Sequence, residues 1–322
     1  MSEARPTPPV PPSITQRFPP LPLDVLVALI RSYPSCDTSG KKAIISRLVS
    51  VHPTLNLEWG PGWRFRRARK LRAGERPDHV DGLIWRKDVP AALGRANPAG
   101  YQVLYVADRI DTALLETHIT DDPAVISEFS IQQGRTTRIA PIGEVMQVQR
   151  TGRGFLSGDS SEAISSMLNA CDPNEAKSLV ITDAFLHECL TSHDGYDISS
   201  HVALCVLEKN QQVSTIAYSS RQHAGALCFV VKVDDFWKNW CLVAVRHVRA
   251  QHLACGMYRL RKATCVDGIF SDGRLRWSDQ RLAENERAEL QPPFTPEACF
   301  IIRAASELLV SASSLNSSWS RR

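Results

Sequence analysis

Apolar positions recur at helical spacing over residues 23–51. Leu26 and Ile30 mark one stretch, and Ile44, Ile45, Leu48 and Val49 mark another beyond a break at 34–40. Asp37, Thr38 or Ser39 is suited to cap the second helix. Downstream, short apolar or alternating runs predict strands in WRFRRARKLRAG from Trp63, at 101–107, Val125–Ile131, Arg138–Val148, Val213–Tyr218 and Ala226–Val231. Helical periodicity predicts helices over 110–118, 161–171, 174–191 and Ile198–Leu207. Strands and helices alternate irregularly, which favours an α+β fold over a doubly wound sheet. Beyond residue 233, Met257–Cys265 and Leu275–Ser278 suggest a hairpin around Phe270 and Gly273, Ala298–Ile302 a strand and Ala304–Ala312 a short helix. No internal repeat is present.

Composition adds boundaries to this pattern. Eight prolines between Pro6 and Pro22 predict a flexible, solvated tail over 1–22. A helical extension over 23–58, a central domain over 59–233 and an α/β extension over 234–322 follow. A net charge of +4 is too small by itself to indicate nucleic acid. The nine cysteines show no CxxC spacing, and Cys205 and Cys228 lie in apolar runs, so they read as free thiols of a reducing compartment rather than as disulfides or a zinc site. The first 22 residues lack the apolar core of a signal peptide, and the run Val25–Ile30 is too short to span a membrane. The expectation is a cytoplasmic protein.

Three places concentrate chemistry. The first is the basic run Arg64, Arg66, Arg67, Arg69, Lys70 and Arg72. In a strand, Arg67 shares a face with Trp63 and Phe65, and an arginine facing inward needs an anionic partner, for which a phosphate or carboxylate is suited. The same run read as a nucleic-acid surface is an alternative. The second is GRANPAGYQVLYVADRIDTALLE, residues 94–116. Here a Gly/Asn/Pro turn carries Arg95, a short strand carries Tyr105 and a helix carries Glu116; the turn is neither a Walker loop nor a GxGxxG fingerprint. The third is the connection Tyr218, Ser219, Ser220, Arg221 between two strands, with no GxSxG elbow around it. The cluster Asp183, His187, His193, Asp194, Asp197 and His201 matches no metal motif and reads as polar surface, so no metal is expected.

Residues 94–116 resemble the core motif of the RES domain family: Gly-Arg-x-Asn-Pro-x-Gly, a strand with a tyrosine, then Ala-Leu-x-Glu. Arg67-Ala68-Arg69 is similar to the family's opening arginine motif, and Tyr218–Arg221 to its late serine motif. The likeness spans about residues 60–233. It implies a fold related to ADP-ribosyltransferase toxins, with small β-sheets framing an NAD cleft. It implies NAD as substrate, broken down by phosphorolysis with inorganic phosphate or by hydrolysis, in the toxin of a toxin–antitoxin pair. The alternative is transfer of ADP-ribose to a macromolecule. The implied partner is a helix-turn-helix antitoxin, through which alone nucleic acid is met. Carried over, Arg67 and Arg95 hold the diphosphate or an attacking phosphate, Tyr105 orients the nicotinamide ribose, Glu116 stabilises positive charge at its C1, and Ser219 orients the nicotinamide. Arg64 is a rival for Arg67 and Ser220 for Ser219, and Asn97 and Arg221 join the binding set.

Overall fold

The computed structural model describes residues 12–85, 89–192 and 195–281, with side chains to Ser278. Along the chain lie helices α1 (Ile14–Arg17), α2 (Leu23–Ser32) and α3 (Thr38–Val51), then strands β1 (Leu57–Trp59), β2 (Phe65–Lys70) and β3 (Val103–Ala107). Next come α4 (Ile110–Glu116), β4 (Asp121–Ile131), β5 (Thr137–Pro141), α5 (Glu144–Thr151), α6 (Ser161–Asn169), α7 (Pro173–Thr191) and α8 (Tyr196–Lys209). The last are β6 (Thr215–Ser219), β7 (Leu227–Lys232), α9 (Val233–Asn239), β8 (Trp240–Ala254), β9 (Met257–Ile269) and β10 (Leu275–Arg281). They fall into two compact units. The first comprises Met1–Leu57, Ala91–Tyr101 and Arg138–Tyr218, the second Glu58–Pro90, Gln102–Thr137 and Ser219–Arg322.

The first unit is mainly helical. Asp37 caps α3 by accepting from the Gly40 amide at 2.7 Å, and Asp172 with Pro173 starts α7 in the same manner. Helix α8 packs on α3 and α7, and α5 on α6 and α7. Strands β5 and β6 run parallel, with Ala140 opposite Ile216. Two expectations are corrected here. The stretch 13–18 is not extended chain: Ser13 and Gln16 form a reciprocal capping box that closes one helical turn among the prolines. The stretch Arg138–Val148 is a strand only to Pro141; Gly143, at φ 91°, turns the chain into α5.

Buried carboxylates hold this unit together. Asp183 on α7 is 4 % exposed and accepts from the amides of Gly143 and Met146, both at 2.9 Å, so it caps α5 and is not surface polarity as its acid- and histidine-rich surroundings suggest. Burial raises its pKa to about 6. His52, also buried, is held neutral, its pKa lowered to about 4 by burial and then by the Lys209 ammonium. The two act oppositely on stability. The depressed His52 value favours the fold above the ordinary histidine pKa of 6.5, an effect lost as pH falls through the window towards 4. The raised Asp183 value favours the fold below 3.8, an effect lost as pH rises through the window towards 6. His52→Gln removes the His52 part of this pH dependence. Urea unfolding at pH 7 and pH 5 is therefore expected to show the variant losing less stability on acidification than the wild type, by about 2 kcal/mol.

The second unit is built on one antiparallel run of strands in the order β7-β3-β2-β4-β8-β9-β10. This corrects the expectation of small sheets. Strand β8, with its arginines and histidines, and helix α9 before it escape the hydrophobic pattern, yet β8 pairs with β4 from Asp121↔Gln251 to Ile131↔Trp240. The predicted hairpin of β9 and β10 is present, with Leu275 opposite Ile269. Helix α4 covers one face through Leu114 and Ala113, which pack with Ala68, Ala107, Ile126 and Val248. The other face carries Phe65, in edge contact with Phe229 at 5.0 Å, and a cluster of Leu71, Val125, Val245 and Leu275. The strand and helix expected at 298–302 and 304–312 lie outside the described residues.

On the α4 face, Glu128 is 3 % exposed and is paired by Arg64 at 3.2 Å and by Arg246 at 2.9 Å. Removing the carboxylate takes the ion pair from two half-buried guanidinium groups. Glu128→Ala is expected to lower unfolding stability by about 2–3 kcal/mol, read from the urea midpoint.

Candidate active site

Glu116 is the last residue of α4, half-buried. Its Oε1 accepts a hydrogen bond from Ser220 Oγ at 2.6 Å and lies 3.6 Å from the Cys228 sulfur. Its Oε2 accepts none among the described residues. Ala107 pairs with Arg66 on one side and Cys228 on the other, so these residues, with Tyr105 two positions back, share the α4 face of the sheet. A free carboxylate oxygen, a serine hydroxyl and a phenol-bearing residue thus belong to one face of one sheet. The C-terminal end of a helix adds negative potential beside Glu116.

The turn after β6 holds Ser220 tightly. Ser220 Oγ also accepts from the His223 amide at 3.0 Å, and the Ser220 amide donates to Ala226 O at 2.8 Å. His223 Nδ1 meets Thr112 Oγ1 at 2.9 Å, and Thr112 Oγ1 donates to Asp108 Oδ1 at 3.3 Å. Since the one hydroxyl proton of Thr112 goes to Asp108, the imidazole nitrogen is the donor. Burial lowers the His223 pKa, helped by Arg109, which keeps the ring neutral; burial raises that of Asp108. Ser219 ends β6, and Arg221 is exposed. Of the two serines, Ser220 is the one bonded to Glu116.

The arginines divide by partner. Arg64 is paired with Glu128, Arg69 with Glu75 at 2.8 Å, and Lys70 with Asp122 at 2.9 Å. Arg66 is buried and donates to the carbonyls of Arg64 and Asp108. These cations are engaged within the unit, so the strand presents no continuous row of free charges for a nucleic-acid backbone. Arg67 differs. It leaves β2 on the Phe65 side, and Nη1 donates to Tyr105 O at 3.2 Å where β2 and β3 part. No carboxylate pairs with it among the described residues, and burial, then Arg69, lowers its pKa to about 10. The structure does not bring it to Glu116. In the first unit Arg95 likewise meets carbonyls, of Leu190 at 3.2 Å and Ser192 at 3.0 Å, and stacks on Tyr196. Asn97 is buried, and its side-chain amide donates to Ala92 O and Pro98 O, which makes it the staple of the Arg95 turn.

The residues missed by sequence reasoning are His223, Thr112, Asp108 and Cys228. Thr112 is on α4, Asp108 at its junction with β3, His223 in the turn after β6 and Cys228 on β7, and they come together only once β3 and β7 pair. Among the described residues no group of three His, Cys, Asp or Glu side chains is arranged to hold a metal ion, and no helix is long and apolar enough to cross a membrane.

The fold is mixed α+β with a large, mostly antiparallel sheet, and its acid and serine motifs meet beside that sheet. Residues 63–251 match the profile of the RES domain, and the chain belongs to the RES domain family. That family is generally linked to NAD-related toxin function. The chain matches no curated protein.

Proposed function

We propose that the protein consumes NAD by breaking the bond between nicotinamide and ribose. The observation that carries this reading is Glu116, whose Oε1 is fixed by Ser220 at 2.6 Å while Oε2 remains available. As the C1–N bond breaks, the electron pair leaves with nicotinamide, whose positive ring nitrogen becomes neutral. The ribose C1 is then oxocarbenium-like. A fixed carboxylate at the negative end of a helix stabilises that charge better in the transition state than in the ground state. Water at C1 gives ADP-ribose, and inorganic phosphate gives ADP-ribose 1-phosphate.

Tyr105, on the same sheet face, orients the ribose. Ser220 aims the carboxylate, with Ser219 beside it towards the nicotinamide. Arg67, half-buried with no carboxylate of its own and on the face opposite Glu116, suits a phosphate held where β2 and β3 part, whose geometry the guanidinium fork matches. Family membership supports a toxin, and a helix-turn-helix antitoxin is the partner proposed for it. The test is incubation of purified protein with NAD, with and without inorganic phosphate, followed by mass spectrometry. Free nicotinamide with ADP-ribose or its 1-phosphate is expected. Intact NAD in both arms overturns the reading, and labelling of a macromolecule in a lysate with ADP-ribose moves it to transfer.

A further inference from the structure

The matched family segment ends at residue 251, before the tip of the β8–β9 hairpin. That tip returns to the candidate site. A Cβ built at Gly256 would lie 3.2 Å from Leu115 Cδ1 and 3.5 Å from both Cδ2 and Nε2 of His223, and its φ of +80° is one that side chains resist. The hairpin is anchored there on both sides of the tip. The His252 amide donates to Thr120 O at 2.6 Å, and Tyr258 Oη donates to Ile119 O at 2.7 Å. His223 therefore sits between two supports. Nδ1 is bonded to Thr112 on α4, and the opposite edge of the ring faces the hairpin tip at Gly256, where there is room for little beyond a Cβ.

We propose that the β8–β9 hairpin is a working part of the site: by backing His223 it holds the 220–226 turn closed, and so keeps Ser220 on Glu116. The links run in sequence. Gly256 stands where an added Cβ would come within 3.5 Å of the His223 ring, the His223 amide donates to Ser220 Oγ at 3.0 Å, and Ser220 Oγ donates to Glu116 at 2.6 Å. His223 is a positioning residue here and touches no reacting atom. Without the hairpin the imidazole keeps one hydrogen bond, to Thr112, and the half-exposed turn, left with its own internal bonds and the one to Glu116, opens more often. This inference rests on the proposed function for its catalytic meaning, but the closure itself is testable without activity.

Arg221, exposed in the same turn, provides the probe. The full-length chain and the variants His223→Phe, Thr112→Val and Gly256→Val are digested briefly with trypsin under native conditions, and cleavage after Arg221 is followed by mass spectrometry. His223→Phe keeps a ring against the hairpin but cannot donate to Thr112, Thr112→Val removes the acceptor, and Gly256→Val pushes the hairpin off the ring. Each is expected to raise cleavage after Arg221 about tenfold, the effect of losing one such contact on a local opening equilibrium, with cleavage elsewhere unchanged. Where the wild type consumes NAD, kcat is expected to fall with KM nearly constant, and His223→Asn, whose side-chain amide nitrogen takes the place of Nδ1 and still donates to Thr112, is expected to recover part of the loss. If the wild type leaves NAD intact, the proposed function fails, and the cleavage pattern alone decides the present inference. Variants that keep the wild-type Tm and are cleaved after Arg221 at the wild-type rate overturn it. Cleavage raised throughout the chain in all three would show general unfolding in place of a local clasp and overturn it equally.

Discussion

Glu116→Gln is expected to lower kcat for NAD consumption by about 10²–10³-fold, the cost of removing one preorganised electrostatic group from a charge-developing centre. The substitution is close to isosteric. Its amide oxygen still accepts from Ser220, and what is lost is the negative charge beside C1 of the ribose. Because Glu116 is half-buried at the end of α4, Tm is expected to change little, and loss of activity is then not loss of fold. Ser220→Ala removes the aim of the carboxylate, together with the acceptor of the His223 amide, and is expected to cost about tenfold, roughly one hydrogen bond to a charged group. Steady-state kinetics on both variants makes the comparison. A glutamine variant as fast as the wild type would remove Glu116 from the chemistry.

The largest effect on stability is expected at Glu144, in the helical unit. It is fully buried, and its carboxylate accepts from three successive backbone amides, those of Phe155 at 2.9 Å, Leu156 at 3.0 Å and Ser157 at 2.6 Å. Glu144→Ala leaves three buried N–H groups unsatisfied and a cavity beside them, and is expected to lower unfolding stability by about 4 kcal/mol. Gly154 reports on the same packing from the other side. A Cβ there would lie 2.0 Å from Glu144 Oε1, so Gly154→Ala displaces the carboxylate and is expected to be destabilising in the same direction. Urea unfolding of the two single variants and the double variant tests this. A midpoint change equivalent to less than about 1 kcal/mol for Glu144→Ala would mean the loop finds other acceptors.

Local chemistry was legible in the sequence where one short segment decides it. The cap at Asp37, the helix start at Pro173, the turn–strand–helix of residues 94–116 and the β9–β10 hairpin all depend on residues adjacent in the chain. What was not legible depends on partners far away in sequence. Alternation separated Arg64 from Arg67, but only Glu128, on β4, shows which guanidinium is already matched. Two neighbouring serines look alike until the chain brings Glu116 to one of them. Helix α5 was hidden because its start is capped by Asp183 from another helix and its first residue is a buried glutamate, which a hydrophobic pattern counts as surface. Strand β8 was hidden because Arg246 faces an interior carboxylate, and Arg249 is held by Asp121, so its polar residues break the expected alternation.

Cys228 gives the site a property of a different kind. Its sulfur is buried 3.6 Å from Glu116, and burial, then the carboxylate, raises its pKa well above the ordinary thiol range. A thiol that stays protonated neither attacks alkylating reagents nor reacts readily with peroxide, because the thiolate is the reactive form. Such reagents meet the exposed Cys255 first. The sulfur nearest Glu116 is therefore a poor target for oxidants, and oxidation reaches the neighbourhood first through Cys255 at the hairpin tip.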